Sequence, residues 1–295
     1  MTLALLERIT GIMVPVLVIV VVGWLYARRH APDMSAINRV NMDLFAPALI
    51  FSALAGGDFS IGENRWLLLA STLIVLGSGV LAFGVALVLR LPARTFVPPM
   101  MFNNCGNMGL PLAVLAYGAP GLAPMVAMFT ISNAIHFTLG ARIVDPKASV
   151  ARLLVTPMNI ATAAGFAVAA TELPRPEIVR HALELLGQAM IPLMLFALGV
   201  RMVSVNRSSW RIGLLGAVVC PLTGIAVALA INPLLPLTAE QRGLMYIFAA
   251  LPPAVLNFMV AERFNRDPGK VAAIVLVGNI ASVVFVPFGL ALGLR

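Results

Sequence analysis

Phe102-Asn103-Asn104-Cys105-Gly106-Asn107-Met108-Gly109-Leu110-Pro111-Leu112 interrupts an apolar run that extends over residues 95–117. Three Asn, two Gly and a Pro thus fall inside a stretch long enough to cross a bilayer, which takes about 20 residues. Asn side chains are costly in hydrocarbon unless paired. The glycines weaken helix, and Pro111 lacks a backbone donor. Irregular backbone at membrane depth persists only where protein buries it or where it lines a cavity. The stretch therefore predicts a helix broken at an internal cavity.

The rest of the chain supplies the membrane. Of its 295 residues, 60% are hydrophobic and 11% charged, against about a quarter charged in a soluble domain. A soluble fold of this size cannot hide so much apolar surface. This excludes a cytosolic enzyme, a disordered chain and a nucleic-acid-binding protein. Long apolar runs predict an all-α polytopic membrane protein rather than a β-barrel. Ten such segments are read: 9–27, 36–55, 66–89, 95–117, 121–141, 152–171, 179–200, 211–231, 242–261 and 271–293. They leave no room for a soluble catalytic domain. Glu7 and Arg8 ahead of the first run argue against a cleaved signal.

Charge sets the expected orientation. With the N-terminus outside, 14 of the 20 Lys and Arg fall in inside loops, among them Arg28, Arg29, Arg90, Arg94, Arg142, Arg152, Arg201, Arg207, Arg211 and Arg263. Arg8, Arg65, Arg175, Arg180, Arg242 and Arg295 stay outside. An even count puts both termini on that face, and the positive-inside bias places the chain in a cytoplasmic (inner) membrane.

The two halves look related. Pro47 and Phe51 recur as Pro192 and Phe196, 145 residues on, and Asn133 recurs as Asn279, 146 residues on. Pro252-Pro253 breaks the ninth segment where the Asn-rich stretch breaks the fourth. The predicted organisation is a first five-helix repeat over 1–144, a cytoplasmic linker over 145–151 and a second repeat over 152–295. Five spans are odd, so the second copy is inserted inverted, as in many secondary transporters. Two broken helices leave half-helix N-termini near the midplane, which favour an anion. With no Lys or Arg near the centre of a span, amide donors of Asn104, Asn107 and Asn257 and the helix ends are expected to hold it.

The run from Asn103 to Leu112, the Pro-interrupted ninth segment and Asn41-x-Asp43…Pro47 resemble the auxin efflux carrier family of bacterial and plant permeases. The resemblance implies a scaffold domain and a transport domain whose fourth and ninth helices cross at the substrate. It implies organic-anion substrates, auxin-type acids or malate- and malonate-type dicarboxylates, moved by an elevator-type mechanism. It also implies membership of the wider bile-acid, arsenite and riboflavin transporter superfamily, and a homodimer through the scaffold. Carried over by position, Asn103, Asn104, Pro111, Pro252 and Pro253 form the crossing. The short central loop points to a bacterial member.

Other polar residues have weaker claims. Asp43, inside the second segment, is the candidate for proton coupling, although Arg39 four residues earlier offers a partner. Glu184 reads as a solvated vestibule residue, and His136 as a packing histidine. Asn133 and Asn279 are candidates either for the cavity wall or for helix-to-helix hydrogen bonds. No catalytic set, metal cluster or cofactor motif is recognisable. The partners expected are a small organic anion and the lipid bilayer, and no nucleic acid. A proton- or sodium-coupled carboxylate or bile-acid-type symporter is the alternative; an intramembrane enzyme lacks a catalytic set, and a channel lacks a filter.

Overall fold

The computed structural model describes residues 3–55, 60–148, 155–171, 176–203 and 209–294. Arg152, Arg175, Arg207 and Arg295 from the orientation argument, and residues 149–151 of the expected linker, lie outside the described residues.

Helix dominates because the apolar runs carry helix-forming residues bounded by caps and prolines. Ser60 accepts from the Glu63 amide to open α4 (Ile61–Val88), and Thr156, followed by Pro157, caps α9 (Pro157–Ala169). Thr238 and Gln241 form a reciprocal capping box at the start of α12 (Ala239–Ala250). The other helices are α1 (Leu3–His30), α2 (Ser35–Val40), α3 (Ala46–Ala55), α5 (Ala93–Met101), α6 (Leu110–Tyr117), α7 (Leu122–Ile135), α8 (Ala141–Val144), α10 (Glu177–Arg201), α11 (Trp210–Ile231), α13 (Val255–Arg263) and α14 (Pro268–Gly293). Among the described residues there is no strand, and the one β-type pairing sets Asn103 opposite Pro253.

Among the described residues six helical stretches are long and apolar enough to cross a membrane: Leu3–His30, Gly62–Val88, Ala119–Val144, Glu177–Arg201, Trp210–Leu234 and Pro268–Gly293. Val80, Val88, Leu185 and Val284 stand exposed on their outer faces, as lipid contact requires. The remaining expected segments are shorter or interrupted. Residues 36–55 become α2 and α3 joined by a π-helical turn, Asn41–Phe45. Residues 95–117 become α5, an unwound stretch, a π-helical turn Cys105–Gly109 and α6. Residues 242–261 become α12 and α13 with an unwound stretch between them.

Glycines let backbones approach where the helices pack. A side chain at Gly23 would strike the Phe196 carbonyl, and one at Gly199 would strike the Val20 carbonyl, so α1 and α10 meet backbone to backbone. Likewise Gly165 seats α9 on α3, against Leu54. A second group packs α11 against α4, α12 and α14, around the fully buried Phe96, Phe102 and Phe248. Thr95 Oγ1 donates to Asp267 Oδ2 at 2.8 Å, tying the start of α5 to the start of α14. That bond, with the Lys270 ammonium 3.2 Å from the same carboxylate, holds the Asp267 carboxyl below its usual range.

Candidate functional site

Two unwound stretches meet at the centre of the interrupted helices. Phe102 is extended (φ −107°, ψ 101°), and Leu251 (φ −65°, ψ 145°) and Ala254 (φ −67°, ψ 143°) adopt the polyproline geometry that Pro252 and Pro253 favour. A residue before proline is biased away from the helical region, so the Pro pair favours this unwinding. The stretches run antiparallel and exchange two backbone bonds: Asn104 N–H donates to Pro252 O at 2.7 Å, and Ala254 N–H to Phe102 O at 2.9 Å.

The Asn side chains complete this crossing. Asn103 Nδ2 donates to Phe248 O at 2.6 Å, and Asn257 Nδ2 to Phe102 O at 2.8 Å and Ala254 O at 3.0 Å. Asn279 Nδ2 donates to Pro253 O at 3.0 Å and Val275 O at 2.7 Å, while its Oδ1 accepts from Asn104 Nδ2 at 2.7 Å. Unwinding orphans carbonyls in a buried place, and these amides satisfy them. The donors of Asn104 and Asn257, expected to face a ligand, are directed at protein acceptors instead. Gly278 lets α14 come close enough for this: a Cβ there would lie 2.6 Å from Pro253 Cδ.

Beside the crossing lies a small cavity, partly open to solvent. Asn103, Asn104, Gly106, Asn107, Ser132 and Asn133 line its polar side. Met42, Met158, Met190, Met194, Met259 and Phe129 make a pliant apolar wall. Its floor includes the starts of the two half-helices, at Gly106-Asn107 and at Val255-Leu256. The first-turn amides there have no carbonyl partner among the described residues, so partial positive charge faces the cavity.

Of the expected site residues, Asn103, Asn104, Asn107 and Asn133 line this cavity. Pro252, Pro253 and Asn257 sit in the crossing beneath it, and Asn279 lines an adjoining cavity. Pro111 is buried in the first turn of α6 and lines neither. Asp43 is exposed on the outer side of its π-helical turn and lines neither cavity. Glu184 is paired with Arg180 at 2.6 Å, near the start of α10.

Three lining residues had no expected role there. His136 stacks on Phe102, the ring centroids 4.0 Å apart and the planes within 4°, and its buried Nε2 has no protein partner. Asn38 and Arg201 line this cavity and also the adjoining one. Arg201 reads from sequence as an inside-loop charge because it ends its helix, and nothing local shows that a cavity reaches that far. The π-helical turn that begins at His136 is a frequent mark of functional sites, but it is invisible in the sequence.

Two comparisons bear on this geometry. The family described as membrane transport protein matches residues 8–151 and, a second time, residues 147–290. The chain is also 25% identical over 310 aligned residues to a protein of Rhizobium meliloti (strain 1021) named "Putative malonate transporter", an alignment that covers 94% of this chain and 93% of that protein.

Proposed function

The chain belongs to the membrane transport protein family, which is that of the auxin efflux carriers, and on that premise we propose that it is a secondary transporter of small carboxylates. The observation that carries this reading is the crossing itself. Two half-helix N-termini and a polar wall face one cavity, an arrangement that suits an anion more than a cation. The relative's name supplies the substrate class, short dicarboxylates such as malonate. The family marks the protein as a transporter rather than an enzyme.

In this reading the ten expected segments cross the bilayer as two inverted five-helix repeats, both termini outside. The double family match supports the repeats. So do the two unwound stretches, 102–104 and 251–254, at corresponding places. The reciprocal pairs α1 with α10 and α9 with α3 are what a pseudo-twofold arrangement produces. They form the scaffold, against which the crossing helices slide.

The mechanism follows from the chemistry of the cavity. A carboxylate enters from the Arg-rich face and loses water among the methionine side chains. It is then held by the first-turn amides near Gly106 and Val255 with Asn107, Ser132 and Asn133. The Asn-clamped crossing moves as one unit, so the site keeps its geometry while the scaffold closes one entrance and opens the other. Export of one negative charge at a potential of about −100 mV gains about 2.3 kcal/mol, roughly a fifty-fold gradient. Efflux therefore needs no coupling ion. A proton-coupled reading has one specific support, His136 at the crossing with its open Nε2.

The test is current from reconstituted protein on solid-supported membranes, with malonate, malate, succinate and indole-3-acetate, each with and without sodium and across a pH step. A sodium-independent current with one of these acids is expected. Absence of both current and radiolabel flux for all of them overturns the carboxylate reading. A current that requires a proton gradient favours the proton-coupled alternative.

A further inference from the structure

We infer that Arg201 is the residue that selects doubly charged substrates, by holding the second carboxylate of a short dicarboxylate whose first carboxylate sits at the crossing. The inference rests on the carboxylate reading above and adds to it a residue and a selectivity. Arg201 ends α10 and lines both the cavity at the crossing and the adjoining one. The two cavities also share Asn38, Val255 and Met259, so Arg201 stands where they join. Among the described residues that line either cavity it is the only Lys or Arg.

Three physical consequences follow. The half-helix amides at Gly106 and Val255 supply partial positive charge to the cavity lining, and the guanidinium adds a full charge to the same lining. Two positive groups in one lining match two linked carboxylates, whereas a monocarboxylate satisfies only one. The guanidinium fork matches a carboxylate bidentately, which a lysine ammonium does not. Apolar walls of Met190, Met194, Met259 and Leu198 exclude water and strengthen the attraction relative to bulk solvent.

The experiment compares malonate with its monomethyl ester, which keeps the shape and removes one charge. Both are measured in proteoliposomes of the full chain, for wild type, Arg201→Gln and Arg201→Lys. The expected readout is the malonate-to-ester ratio of apparent affinities. It should favour malonate in the wild type, fall by about tenfold in Arg201→Gln and fall less in Arg201→Lys, as the loss of a charge-assisted bidentate contact predicts. A ratio unchanged within about twofold in Arg201→Gln overturns the inference, because a merely structural arginine would weaken both substrates alike. If Arg201→Gln does not fold, Arg201→Lys decides: a drop in the ratio supports the inference, and an unchanged ratio sinks it. A wild type that moves monocarboxylates but no dicarboxylate leaves the carboxylate reading standing and overturns this one. A wild type that moves neither overturns both.

Discussion

Asn133 and Asn279, read from the sequence as counterparts 146 residues apart, fall one in each of the two segments that the family matches. Their work differs. Asn279 is a clamp, holding Pro253 O, Val275 O and the Asn104 amide. Asn133 faces the cavity and makes no side-chain hydrogen bond to the protein among the described residues. The unwound stretches diverge in the same way. The first, at Asn103-Asn104, brings side-chain amides as well as a backbone donor; in the second, Pro252 and Pro253 have no N–H and offer carbonyls, and Ala254 supplies the backbone donor. The halves fit because they are complementary, each supplying what the other lacks. Two identical Pro-Pro breaks would leave facing carbonyls unpaired, at a cost of about 1–3 kcal/mol each.

The difference between the two asparagines gives the largest expected effect. Asn279→Ala leaves the Asn104 amide and the Pro253 carbonyl without partners and should destabilise the protein by roughly 3 kcal/mol, read as a clear fall in melting temperature in detergent. Asn133→Ala should leave the melting temperature nearly unchanged and weaken substrate affinity. Equal losses of stability from both would erase the distinction between clamp and wall.

A smaller effect is expected from Gly278→Ala, whose new Cβ would press on Pro253 Cδ. We expect a destabilisation of roughly 1–3 kcal/mol and a slower transport rate. Gly269→Ala, a change in open space on the same helix, should cost much less. If both variants behave alike, close approach of α14 is not what keeps the crossing tight.

The smallest effect concerns the tie between α5 and α14. The Asp267 carboxyl is lowered first by the Thr95 hydroxyl and then by Lys270. A lowered carboxyl contributes stability above its unfolded value and loses it as pH falls through the folded one. The melting temperature should therefore be flat from about pH 8 to 5 and begin to fall below about pH 4, the ordinary carboxylate range. Thr95→Ala should flatten part of that fall, and an unaltered profile would remove this bond from the account of the crossing.

Much of the architecture was legible in the sequence. Span length and apolar character are local, so the long helices could be placed to within a few residues. The breaks were legible too, since Pro252-Pro253 disfavours helix and Asn103-Asn104 needs partners at membrane depth, although Pro98-Pro99 stays within α5. The partners of the site residues were not legible, for a related reason. Asn104 and Asn257 were recognisably polar at membrane depth, but a sequence does not say whether an amide will meet a ligand or an orphaned carbonyl. Asp43 looked interior because its segment is apolar; the facing of one residue on a π-helical turn is a tertiary matter.

By itself the sequence determined a helical membrane protein with two interrupted helices, because hydrocarbon tolerates only satisfied backbone and apolar side chains over a span of that length. Only the tertiary structure decided that the interruptions pair antiparallel, Asn103 opposite Pro253. It also decided that Asn279 rather than Asn133 clamps them, and that Arg201, written at the end of a helix, reaches the cavity. Such contacts join residues some 150 positions apart, as Asn257 and Phe102 show with a separation of 155. Their partners are set by how helices cross, and no local pattern records that angle.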